Sequence, residues 1–142
     1  MSEQISFVVF SGGFDRVHYA LSMAAAAAAT GRAVSVLVAG RALLALIDRA
    51  DPHRPGWHDL DAADDGTAPA MREAFLVGHG VAGFEELLAA CAALNVAVIV
   101  CEMGLRTLNL PPDVKLRADI PYRVGGIVTF LSAAEEGRIV FI

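Results

Sequence analysis

Four short apolar runs constrain this chain more than any other feature: Ile5–Phe10 (ISFVVF), Ala33–Ala39 (AVSVLVA), Val96–Cys101 (VAVIVC) and Arg138–Ile142 (RIVFI). They are rich in β-branched residues and lack the apolar–polar alternation of a strand with one wet face. Runs of this kind are strands buried on both faces, the signature of a parallel sheet. Helical patterns fill the intervals. Asp15–Thr30 reads as a helix stopped at Gly31, Arg41–Arg49 as a short one, and Gly83–Asn95 as a third, with Phe84, Leu87, Leu88, Cys91 and Leu94 on one face. Glu102–Leu110 forms a short helix ended by Pro111-Pro112, and Ile127–Glu136 another, introduced by Gly125 and Gly126 and closed by Gly137. Val114–Tyr122 reads as irregular, with a short extended piece near Ile120. The expectation is a single α/β domain over residues 1–142: a three-layer α/β/α sandwich with a mostly parallel sheet of four to five strands.

The interval from Ala50 to Gly80 breaks this rhythm. It holds Pro52, Pro55, Gly56, Gly66, Pro69, Gly78 and Gly80 together with five aspartates, and only Met71–Val77 looks helical. A connection of this length in a small domain is often a lid or a contact arm. The lone tryptophan, Trp57, sits within it. Among prolines such a residue is expected to make contacts, folded back or at an interface. His53, His58, Asp59 and Asp61 have donor types that suit a divalent metal, but loop spacing gives no ligand geometry, and a solvated loop is the plainer reading. His79 lies between two glycines and carries no signal.

Composition excludes several classes. Hydrophobic residues make up 56% and charged residues 19%, which excludes a disordered chain. Much of the apolar fraction is alanine, 26 residues with six in the run Ala24–Ala29. No uninterrupted apolar stretch reaches the ~18 residues of a membrane span. Glu3 stands where a secretory leader would be basic. The net charge is −5, with one lysine, Lys115, and scattered arginines, so a basic stripe for nucleic acid is missing. The expected location is the cytoplasm, with no membrane and no nucleic-acid partner.

In parallel sheets, ligands and chemistry sit outside the carboxyl ends of the strands. That rule selects Ser11-Gly12-Gly13, Gly40 and Cys101. Gly12 and Gly13 join a strand to a helix, as phosphate-binding turns do, but without the spacing of either phosphate-loop motif; a tight turn is the simpler reading. His18 follows on the same edge, either as a thiol partner or as a solvated residue in the first helical turn. Cys101 ends a strand and precedes a helix, where unpaired N–H groups favour the thiolate. Arg106 would add to this and Glu102 would oppose it. A small buried hydrophobe is the alternative for Cys101, and the expected role for Cys91, on the apolar face of its helix. Two cysteines ten apart, with no Cys-x-x-Cys and no zinc spacing, imply neither a disulfide nor a metal centre.

The run VAVIVCEMGLRTLNL, with FEELLAACAALN before it and VGGIVTFLSAAEEGRIVFI after it, resembles the DsrE/DsrF-like family, which includes the sulfur-relay proteins of the DsrEFH and TusBCD complexes. The opening FVVFSGGFDRVHYALSMAAAAAATGRAVSVLVAG is similar to that family's first strand–helix–strand unit, and the arm matches least. The resemblance implies a sulfur carrier, a sulfurtransferase of the persulfide-relay type. Cys101 would be the sulfur-accepting cysteine, with Gly12, Gly13, His18, Glu102, Met103 and Arg106 as supporting or ligand-binding residues. It implies no cofactor, sulfur donor and acceptor proteins as partners, and a trimeric or hexameric homo-oligomer. A subunit interface would also absorb an apolar fraction that 142 residues have little interior to hold. Two alternatives remain: a non-catalytic oligomeric binding or scaffold protein with an inert Cys101, and a small-ligand or nucleotide binder at the Gly12-Gly13 edge. A Cys101 fully enclosed and far from any cleft would favour the scaffold.

Overall fold

The computed structural model describes residues 3–142. Five parallel strands form the central sheet: β1 (Ile5–Val9), β2 (Val34–Val38), β4 (Ala97–Cys101), β6 (Tyr122–Gly125) and β7 (Arg138–Phe141), in the order β6-β4-β2-β1-β7. The helices are α1 (Phe14–Ala29), α2 (Pro69–Gly78), α3 (Phe84–Ala93), α4 (Glu102–Thr107) and α5 (Ile127–Ala133). The architecture is a three-layer α/β/α sandwich with an all-parallel central sheet, as the apolar runs require.

The four strands read from sequence lie within one or two residues of their expected bounds. The fifth, β6, lies beyond Ile120, and Gly125 ends it rather than opening the last helix. Its sequence, Tyr-Arg-Val-Gly, is too polar to stand out because β6 is an edge strand with exposed residues. The segment read as a helix over Arg41–Arg49 is instead a 3₁₀ segment, Gly40–Leu46, followed by β3 (Ile47–Asp48), which pairs antiparallel with β5 (Lys115–Leu116). A tighter winding fits because Gly56 runs directly beneath: a Cβ there would lie 2.2 Å from the Leu44 carbonyl oxygen.

The two faces of the sheet are covered unequally. Phe7, Val9, Val36, Val38 and Val100 point to a thick layer of α1, α3, the 40–46 segment and the arm. Val8, Leu37, Ile99 and Cys101 point the other way, toward α5 alone, which contributes Phe130 and packs with Ala134. Topology explains the asymmetry. α5 belongs to the crossover from β6 at one edge to β7 at the other, and seven residues of helix cannot cover the face it crosses. Among the described residues, no helix is long and apolar enough to cross a membrane.

The arm is folded back against the thick layer. The Asp61 N–H donates to the Gly12 carbonyl at 2.8 Å, and the Asp61 carbonyl accepts from Phe14 at 3.1 Å. Asp15 accepts from the Asp64 N–H and the Arg72 guanidinium. Glu73 on α2 receives the Phe84 N–H, capping α3. Trp57 stacks on Phe84 with centroids 5.2 Å apart.

Candidate functional site

Cys101 occupies the carboxyl end of β4, a central strand of the sheet, and is the residue from which α4 starts. Strand pleating sends Ile99 and Cys101 to the same face, under α5. The side chain is enclosed by Leu37, Ala39, Ile99, Phe130 and Ala134, with 2% of the residue exposed. Small residues crowd the same end. Gly125 pairs in register with Cys101, and Gly104 packs so closely that a Cβ would meet Leu43 Cδ1 at 2.6 Å and the Gly40 nitrogen at 3.1 Å. This close approach lets α4 seat on the 40–46 segment and fixes the backbone that follows the cysteine.

The expected supporting residues that follow Cys101 face solvent. Met103 is 58% exposed. Glu102 and Arg106 bond each other as an i,i+4 pair on the outer side of α4.

Gly12, Gly13 and His18 do not join this group. The Gly12-Gly13 turn ends β1, and β2 separates it from β4, a gap of about 10 Å at ordinary strand spacing. The arm occupies the turn: Gly13 bridges to Asp61, and Arg41 and Asp61 lie over Gly12, where a Cβ would meet Arg41 Cβ at 2.4 Å. Arg41 and Asp61 also form an ion pair at 2.8 Å. His18 is neither solvated nor near the thiol. It is buried between Phe14 and Phe84 in the thick layer, on the opposite face from Cys101, and its Nε2–H donates to the Ala82 carbonyl at 2.8 Å. Phe14 is a neighbour on the same helix, but Phe84, which closes the other side, comes from α3, 66 residues along the chain, so no local pattern disclosed the burial.

Cys91 is a core residue, 3% exposed. Burial pushes its thiol up to about 11, which disfavours the nucleophilic thiolate at neutral pH. The acidic residues of the proposed arm cluster are engaged by arginines: Asp59 by Arg49 and Arg54, Asp61 by Arg41. His79 Nδ1–H donates to the Phe75 carbonyl while its ring stacks on Phe75.

A second constellation had no sequence signal beyond Trp57. The Trp57 indole N–H donates to Glu85 at 2.8 Å, and Arg117 grips the same carboxylate through two bonds of 2.8 and 2.7 Å while also binding Asp119. Arg117 holds the Glu85 and Asp119 carboxyls below their ordinary range, with the Trp57 bond adding to the effect on Glu85. Glu85 and Arg117 lie 32 residues apart, which is why spacing could not pair them. They border a cleft of about 570 Å³ lined also by His53, His58 and Arg49. A cleft of about 620 Å³ lies between Leu105, Leu110, Pro112 and Tyr122. Cys101 lines neither.

No family model matches the chain, and no curated protein matches it.

Proposed function

We propose that the chain is a sulfur carrier of the DsrE/DsrF-like kind, with Cys101 as the persulfide site and proteins as sulfur donor and acceptor. The observation that carries the proposal is the position of Cys101: a thiol at the carboxyl end of a central parallel strand, on the thinly covered face of the sheet. The Cys101 thiolate attacks the outer sulfur of a donor persulfide. A sulfur–sulfur bond forms at Cys101, the donor's breaks, and the donor leaves as a thiolate that takes a proton from water. An acceptor thiolate then repeats the step on the Cys101 persulfide. No redox equivalent is consumed.

Transfer needs access, and α5 must move to give it. Phe130 is its one fully buried side chain, so lifting this helix exposes little of the core. In the closed state the apolar wall of Leu37, Ile99 and Phe130 shields a bound persulfide from small reductants. The experiment is intact-mass spectrometry after exposure to a persulfide donor. The proposal expects a gain of about 32 Da, one sulfur atom, lost in Cys101→Ser and kept in Cys91→Ser. A wild-type chain that gains no sulfur refutes it.

The enclosure of Cys101 and its absence from the lining of both clefts favour a second reading, a non-catalytic oligomeric scaffold with an inert thiol. Under that reading neither cysteine gains sulfur or labels until the protein unfolds. The Gly12-Gly13 edge, filled by Arg41 and Asp61, favours no ligand.

A further inference from the structure

The thin face is bare where α5 does not reach. The pairing register puts Phe141 beside Val8 and Ile139 beside Ser6 on the α5 side of the sheet, and Phe10 continues that line and stacks on Phe141 with centroids 6.1 Å apart. Phe10, Phe141 and Ile139 are 58%, 69% and 48% exposed. The outer side of α5 continues the patch through Ile127, Val128 and Leu131, at 51%, 79% and 51%, with Leu131 about one helical turn beyond the other two. These six side chains present roughly 600 Å² of apolar surface, the upper end of what a monomer leaves bare, and most of the ~800 Å² per partner that a stable interface buries. Arg123 shares this face, in register with Ile99, and the exposed Glu135 and Glu136 follow α5, so charged residues border the apolar patch, as they do at the rim of a homodimer contact. β7 also ends the sheet here, with no proline or lysine to discourage pairing. A second exposed apolar stripe, Met71 and Phe75 on α2, is partly masked by its own polar neighbours, with Arg72 over the Phe75 ring and His79 stacked against it.

We infer that this face is the self-association surface of the chain, occupied by a second copy in a two-fold arrangement, and that pairing there clamps α5 over Cys101. A two-fold contact apposes the same patch on each copy, and both halves here are apolar at the centre. The consequence for the thiol follows from α5 having two sides. Its inner side, through Phe130, closes over Cys101, and its outer side, through Val128 and Leu131, carries the contact. A helix held from both sides opens less often than one held from one, so dissociation, or replacement of one copy by a sulfur donor or acceptor, exposes the sulfur. The link to sulfur access rests on the carrier proposal; the self-association does not.

The test uses the full chain and two readouts. Sedimentation equilibrium up to about 100 μM should give a dimer or a multiple of it for the wild type, with a dissociation constant near micromolar. Val128→Glu/Leu131→Glu changes two exposed positions and should be monomeric with an unchanged circular dichroism spectrum. Met71→Glu, at an equally exposed site on α2, should associate like the wild type. Native-state alkylation of Cys101 should be at least about tenfold faster in the monomeric variant. A wild type that is monomeric throughout, or a Val128→Glu/Leu131→Glu variant that associates unchanged, overturns the interface. A monomeric variant whose Cys101 labels no faster overturns the clamp while leaving the interface, and the persulfide assay stands apart from both.

Discussion

The sheet has one face buried under a thick, cross-linked layer and one covered by a single short helix, and the two cysteines fall on opposite sides of that divide. Cys91 lies in the thick layer, where burial holds its thiol protonated up to about 11. Cys101 is as fully enclosed, but by one helix with one buried anchor. Exposure alone makes the two residues look equivalent. The number of independent ties on the covering element separates them, because local opening follows those ties and not the accessible area of the closed state.

The arm shows how many ties the thick side has. Trp57 stacks on Phe84, lies edge-on to Phe14 and donates to Glu85. Trp57→Ala should therefore show the largest loss, about 4–5 kcal/mol, read by chemical denaturation. It should also loosen the whole arm, releasing the Asp61 contacts over Gly12. A loss comparable to that of a surface residue would break the contrast between the faces.

Phe130→Ala should come next, at about 3 kcal/mol, the low end for an aromatic truncation, because a thinly covered site relaxes more readily. Its distinguishing effect is on labelling: Cys101 should react with iodoacetamide in the native protein while Cys91 does not. If truncation exposes both cysteines together, α5 is not an independent lid.

The Cys91 thiol offers a pH test of the thick side. Its folded-state value lies above the unfolded 9.0, so the folded protein holds the proton more tightly. The associated stability is intact below about pH 9 and is lost as pH rises toward about 11. The loss should reach about 2 kcal/mol, and Cys91→Ala should remove that portion of the alkaline slope. Denaturant melts at pH 8 and pH 10.5, in wild type and variant, provide the comparison.

The smallest effect is on the acid side. Glu85 and Asp119 have depressed carboxyl values because of Arg117, so their stabilisation is present above the unfolded carboxylate range and is lost as pH falls through the folded values. Both carboxylates are about half exposed or more, and solvent screening holds the expected loss to about 1 kcal/mol. Trp57 is the only tryptophan, so its emission reports directly on the arm. Glu85→Gln should move the acid transition of that emission to milder pH with little effect on Cys101 labelling. A change in Cys101 labelling would show that the two faces are coupled.

The sheet was legible in the sequence because strands buried on both faces carry an unmistakable apolar density, and ISFVVF, VSVLV and AVIVC all lie where that density put them. β6 was not, because an edge strand needs little apolar character and Tyr122 and Arg123 supply little. The position of Cys101 at a strand end was legible for the same reason as the strands. Its enclosure was not, since the side chains that cover it, Phe130 and Ala134, arrive about 30 residues later along the chain. His18 misleads for a similar reason: a polar residue in the first turn of a helix reads as solvated until Phe84 closes over it. Trp57 was marked by its isolation among prolines, whereas its partners Glu85 and Arg117 look like ordinary surface charges.

The most direct measurement is the denaturant dependence of Cys101 alkylation in the native protein, followed site by site against Cys91 and against the global unfolding rate. Cys101 should label through a local opening whose rate barely changes at low denaturant, while Cys91 labels only with global unfolding. If both cysteines label together, at the global unfolding rate, Cys101 is an inert core thiol and the carrier proposal fails.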